Sequence, residues 1–134
     1  MRRAEICLIS MILCAALCTA AQTERQHIMP PESIVRVSEI TVDPAHLQEY
    51  LSFVSECGRE SMRLEPGVLF MFSMQDKEHP ERITILEIYS GRAAYEHHVQ
   101  TPHFQKYKQG TLKMVRTLKL RDQIPLVPEM KMKE

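Results

Sequence analysis

Residues 34–42, IVRVSEITV, alternate apolar and polar side chains and are rich in β-branched types, a two-residue period that predicts a strand. The period changes after Asp43. Spaced at about 100° per residue, residues 45–64 gather Leu47, Tyr50, Leu51, Phe53, Val54, Cys57, Gly58 and Met62 on one half of a helix. Gln48, Glu49, Ser52, Glu56, Arg59, Glu60 and Arg63 take the other half. Asp43 is the expected N-cap, with Pro44 at the first helical position. The sequence EPG at 65–67 ends the helix, and Gly67 is expected to supply a tight turn into the next strand.

Two further strands, 68–76 (VLFMFSMQD) and 82–90 (RITILEIYS), flank the polar loop KEHPE and are expected to pair as an antiparallel hairpin. Both are apolar on both faces: Phe70, Phe72 and Met74 alternate with Leu69 and Met71, and Leu86 and Ile88 with Ile83 and Ile85. A single helical layer covers one face only, so the other calls for a second sheet or another subunit. A homodimer is the expectation. Gly91 opens a short helix, RAAYEHHV, and Thr101 caps a second one, PHFQKYKQGTLKMV, with Pro102 first. A last strand is expected around residues 116–124. The order β-α-β-β-α-α-β predicts an α+β, ferredoxin-like fold with an antiparallel sheet.

The ends of the chain read differently. Arg2 and Arg3 precede an apolar run from Ile6 to Leu17 that closes on the small residues of CTAAQ, the pattern of an export signal. The run is shorter than the ~20 apolar residues of a membrane span. Cleavage after Ala20 or Ala21 is expected, giving an exported, periplasmic or secreted protein. Removing residues 1–21 from the 134 leaves 113, which suits one domain at 34–125 between a linker, 22–33, and a tail, 126–134. Basic and acidic residues balance at 17 each, so no basic surface suggests nucleic acid. Three cysteines lie in the signal, which leaves Cys57 without an intramolecular partner. Its place on the apolar side of the first helix reads as a buried structural thiol.

Candidate chemistry is concentrated in EIYSGRAAYEHHVQTPHF, residues 87–104, which holds three of the six histidines. His97, His98 and His103 lack the i, i+4 spacing of zinc-binding helices, and Pro102 breaks any continuous helix between them, so no metal site is expected. No Gly-rich phosphate loop, G-x-S-x-G elbow or Cys-x-x-Cys occurs. Composition offers no nucleotide cofactor.

The stretch from Glu65 to Phe104 resembles the antibiotic biosynthesis monooxygenase superfamily, with its quinol monooxygenase-like and autoinducer-2 phosphate isomerase-like members. The likeness rests on EPG, on E-x-Y at 87–89, and on a histidine followed by TPHF, and it matches His98 rather than His97. The resemblance implies a dimeric α/β barrel in which two ferredoxin-like sheets pack face to face. It also implies oxidation of a small quinol or polyphenol by molecular oxygen with no cofactor, the protein supplying a pocket, a base and hydrogen-bond donors. His98 is the expected base, since histidine as a residue type titrates near neutral pH. Tyr89 is expected to donate a hydrogen bond and Glu87 to assist, while His103, Phe104, Phe70 and Phe72 line the substrate pocket. The superfamily's haem-degrading branch is disfavoured: its haem-ligating histidine position falls on Lys108, and the chain has no tryptophan. A non-catalytic binding module and an isomerase of a small dicarbonyl compound are the alternatives.

Overall fold

The computed structural model describes residues 27–127 and 129–130. The expected export signal, residues 1–21, lies outside them. In chain order the elements are β1 (His27–Ile28), β2 (Ile34–Val42), α1 (Leu47–Leu64), β3 (Val68–Gln75), β4 (Arg82–Tyr89), α2 (Arg92–His98), α3 (Pro102–Thr111), β5 (Val115–Gln123) and β6 (Glu129–Met130). A single 3₁₀ turn, Pro44–His46, leads into α1, and the Asp43 carboxylate accepts a hydrogen bond from the Ala45 amide at 3.0 Å. Helix α3 ends earlier than its sequence pattern implies. The Met114 amide bonds back to Thr111, and the Met114 carbonyl accepts from Asp43, so Val115 is already committed to pairing with Val42.

Strands β2 to β5 form one antiparallel sheet in the order β3-β4-β2-β5. Strand β4 therefore inserts between β2 and β3, the split β-α-β arrangement expected of a ferredoxin-like chain. The expected barrel is not formed. Strands β3 and β5 are the two ends of the order and do not pair with each other, so the sheet is open; closed barrels with packed interiors use about eight strands. The presumed linker and tail also pair, through His27↔Met130 and Ile28↔Glu129.

The two faces of the sheet differ. On the helical face Ile40, Val42, Ile83 and Ile85 pack with Tyr50 and Val54 of α1 and with Met114. The residues of α1 that reach full burial are Tyr50, Val54, Cys57 and Ser61, a stripe of spacing four, three, four. Met62, expected on that side, lies on its flank and is exposed. On the opposite face Val35 and Ile88 pack with Met29, Phe70 and Leu86. Phe72 and Met74 on that face remain 55% and 39% exposed.

Gly67 has a different reason from the one its turn position suggests. A Cβ there would stand 2.5 Å from the Ala94 Cβ. The glycine gives α2 room to lie against the start of β3.

Candidate functional site

Two side-chain networks meet beneath α1, α2 and α3. The first lies on the helical face of the sheet. Arg36 on β2 stands opposite Asp122 on β5, and its guanidinium donates to both carboxylate oxygens, at 2.6 and 3.2 Å. The same guanidinium lies 4.7 Å from the centre of the Tyr95 ring. Asp122 raises the Arg36 pKa further above its already high value, although burial acts against it. Beside it, Glu87 on β4 accepts hydrogen bonds from Ser38 Oγ at 2.6 Å and from the Tyr89 hydroxyl at 2.7 Å. Burial first, and then the neighbouring Glu87, push the Tyr89 hydroxyl well above the tyrosine range, so it stays protonated.

The second network is His98, Glu65 and His103. Glu65 follows the last turn of α1, His98 ends α2, and His103 is in the first turn of α3. Thr101 caps α3 by accepting from the Phe104 amide at 3.3 Å, and its own hydroxyl donates to the His98 carbonyl at 2.7 Å. The chain thus turns between α2 and α3 and brings the two histidines together despite Pro102. Glu65 Oε1 receives His98 Nδ1 at 2.9 Å and His103 Nε2 at 2.5 Å. His98 and Glu65 are buried. Burial acts to raise the Glu65 carboxyl pKa, but the hydrogen bonds from His103 and His98 outweigh it and hold the group below the ordinary carboxylate range.

These networks border two cavities. The inner one, about 630 Å³, lies between the sheet and the helices and is lined by Arg36, Ser38, Glu87, Tyr89, Tyr95, His98, Phe104 and Tyr107 among others. Its size falls within the range of small-molecule sites. Met71, Ile85, Leu118 and Leu120 supply apolar wall. The outer one is a surface groove of about 710 Å³ lined by Glu56, Glu60, Glu65, His97, His103 and Lys106. His98 borders the inner cavity, while Glu65 and His103 border the groove. The His98–Glu65–His103 chain therefore crosses the wall between them.

The structure gathers His98, Tyr89, Glu87 and Phe104 around the inner cavity and places His97 and His103 outside it. Phe70 and Phe72, expected in the pocket, are on the other face of the sheet. In the β3–β4 register they stand opposite Ile88 and Leu86, whereas Met71 and Ser73, opposite Glu87 and Ile85, face the cavity. Tyr89 was expected to donate to substrate, but its one proton is directed to Glu87. The expectation of no metal ligands is also revised. His98 Nδ1, His103 Nε2 and a Glu65 oxygen lie within 4.8 Å of one another, because the third donor comes from a loop more than thirty residues upstream.

Arg36, Ser38 and Glu65 were not singled out from sequence. Arg36 and Ser38 share one face of a strand that is mostly β-branched, and that alternation is a signal. Glu65 lies in EPG, where nothing local marks its carboxylate as a partner of His98 and His103.

Residues 33–110 match the antibiotic biosynthesis monooxygenase family. A crystal structure of a Bacteroides thetaiotaomicron protein named for the same family is 52% identical and superposes with a TM-score of 0.75, covering 76% of this chain and 97% of that one. A monooxygenase-named structure from Lactobacillus acidophilus is 27% identical with a TM-score of 0.66, covering 68% of this chain and 43% of the other. An uncharacterised protein of Synechocystis is 29% identical over 76 residues, 57% of this chain; the match spans 51%, about half, of that curated relative. With its split β-α-β sheet, its cavity under three helices and this match over residues 33–110, the chain belongs to the antibiotic biosynthesis monooxygenase family.

Proposed function

We propose that the protein oxidises a small quinol or polyphenol in the inner cavity, with molecular oxygen as oxidant and His98 as the base. Family membership supports a monooxygenase-type oxidoreductase role in general terms. The observation that carries the finer reading is the orientation of His98. Its Nδ1 bonds the buried Glu65 carboxylate, which only accepts, so Nδ1 carries an N–H, and in the neutral ring Nε2 is then the acceptor on the cavity side.

A phenolic hydroxyl placed at Nε2 gives up its proton there. Glu65 holds the ring in place and stabilises the imidazolium that results, the part an acid plays behind a histidine in hydrolase triads. Arg36, fixed by Asp122, offers positive charge to the developing phenolate. The electron-rich ring then reacts with oxygen. A hydroquinone and one dioxygen give a hydroxyquinone and one water, with one oxygen atom going to each product. Tyr89 and Ser38 keep Glu87 in place beside the reacting ring.

The same proposal assigns a second copy of the chain to the exposed apolar patch around Phe72 and Met74, making the protein a homodimer.

Oxygen uptake with a series of small hydroquinones tests the chemistry. His98→Ala should lower the rate by about 10²–10⁴-fold, the usual worth of a general base. His97→Ala, in the outer groove, should change it little. Tyr89→Phe should fall between, with the loss of one hydrogen bond of about 0.5–1.5 kcal/mol. Unchanged uptake in His98→Ala would remove it as the base.

A further inference from the structure

We infer that Glu65, His98 and His103 form a binding site for one divalent first-row transition metal ion, in the wall between the inner cavity and the outer groove. Two imidazole nitrogens and one carboxylate oxygen are the donors such ions favour. They come from three separate elements and lie within 4.8 Å of one another. Donors around an ion at about 2.0–2.2 Å stand roughly 3 Å apart. The His98–Glu65 pair, at 2.9 Å, is near that spacing; the His103–Glu65 pair, at 2.5 Å, opens by about half an ångström, and the two imidazole nitrogens, within 4.8 Å of each other, draw in to share the ion. The ion reaches the site from the groove, where Glu56 is paired with Lys106 and Glu60 with Arg63, and water completes the coordination.

Occupancy has a chemical consequence, which rests on the oxidation proposed above. Without metal, the Glu65 carboxylate only accepts, so each histidine presents an N–H to it, and the neutral His98 ring has its lone pair on Nε2. An ion bound at Nδ1 needs that lone pair for itself. The proton of the neutral ring must then reside on Nε2, and the cavity edge of His98 changes from acceptor to donor. The metal therefore switches the base off.

The experiment uses the tag-free, metal-stripped full chain and titrates it with cobalt(II), read by visible absorption. The expected result is saturation at one equivalent, with the colour bleached by zinc. Glu65→Gln and His103→Gln should each weaken binding by at least about 100-fold, beyond the 10–100-fold typical of losing an outer partner of a ligand. His97→Ala, in the same groove, should bind as the parent does. Far-ultraviolet dichroism without metal identifies which of the two ligand variants is folded, and either one suffices. No saturation at one equivalent, or unchanged affinity in the folded variant, overturns the site. Zinc should slow oxygen uptake by the parent and leave the rate of His103→Gln at its own metal-free value; zinc bound without inhibition overturns the switch. A parent with no uptake on any quinol refutes the oxidation, and the cobalt titration still decides the metal site.

Discussion

Cys57 shows how environment overrides residue type. Burial first pushes its thiol up to about 11, although the Ser61 hydroxyl, 4.0 Å from the sulfur, acts in the opposite direction. The thiolate is the nucleophile, and at neutral pH it is scarce in this setting. A thiol reagent should therefore modify Cys57, located by peptide mapping, very slowly in the native protein at pH 7 and quickly in denaturant. Fast native labelling would show that this part of α1 opens readily. The buried character of Cys57 was legible in the sequence, because helical spacing put it beside Tyr50 and Val54. The roles of Glu65 and Arg36 were not, because they depend on partners more than thirty residues away. Pairings at that range are set by the turn between α2 and α3 and by strand order, which no local pattern states.

Among the elements, α1 and the β2–β5 sheet were legible almost to the residue, since helical and strand periods each run for eight residues or more. Which face of each strand meets the helices was not. Strands β3 and β4 are apolar on both sides, and in such strands a one-residue shift moves Phe70 and Phe72 from one face to the other. Two predictions belong here. The Asp43 carboxyl is held below its ordinary value of 3.8, chiefly by the Ala45 amide and then by Arg116. A carboxyl with a lowered folded pKa adds stability that is present above the unfolded value and is lost as pH falls through the folded one. Asp43→Asn keeps a capping acceptor without the charge, so its melting temperature should fall less steeply below about pH 4 than the parent's. For Gly67→Ala, the 2.5 Å approach to Ala94 predicts a loss of about 1–3 kcal/mol in denaturant unfolding, the usual range for overpacking. Adding Ala94→Gly should restore much of it, and strictly additive losses would show that the two positions do not touch.

At the scale of the whole fold, no helix among the described residues covers the opposite face of the open sheet, where Met29 packs and Phe72 and Met74 stay accessible. Formal net charge is zero, so no long-range repulsion keeps copies apart. Light scattering at micromolar concentration should report about twice the mass of one chain. Phe72→Glu should return it to one chain, since a charge in that patch opposes burial. A parent of single-chain mass would refute the second copy.

Strand order also sets the timing of assembly. Strand β2, near the start of the described chain, sits in the middle of the sheet, and its partner β5 begins more than seventy residues later. During synthesis β2 must wait with an uncovered edge until β5 leaves the ribosome, whereas the β3–β4 hairpin can close on its own. Asp122, which anchors Arg36, lies near the end of β5. The cavity therefore acquires its guanidinium in position only once β5 has been made, and a chain truncated before β5 lacks the finished pocket.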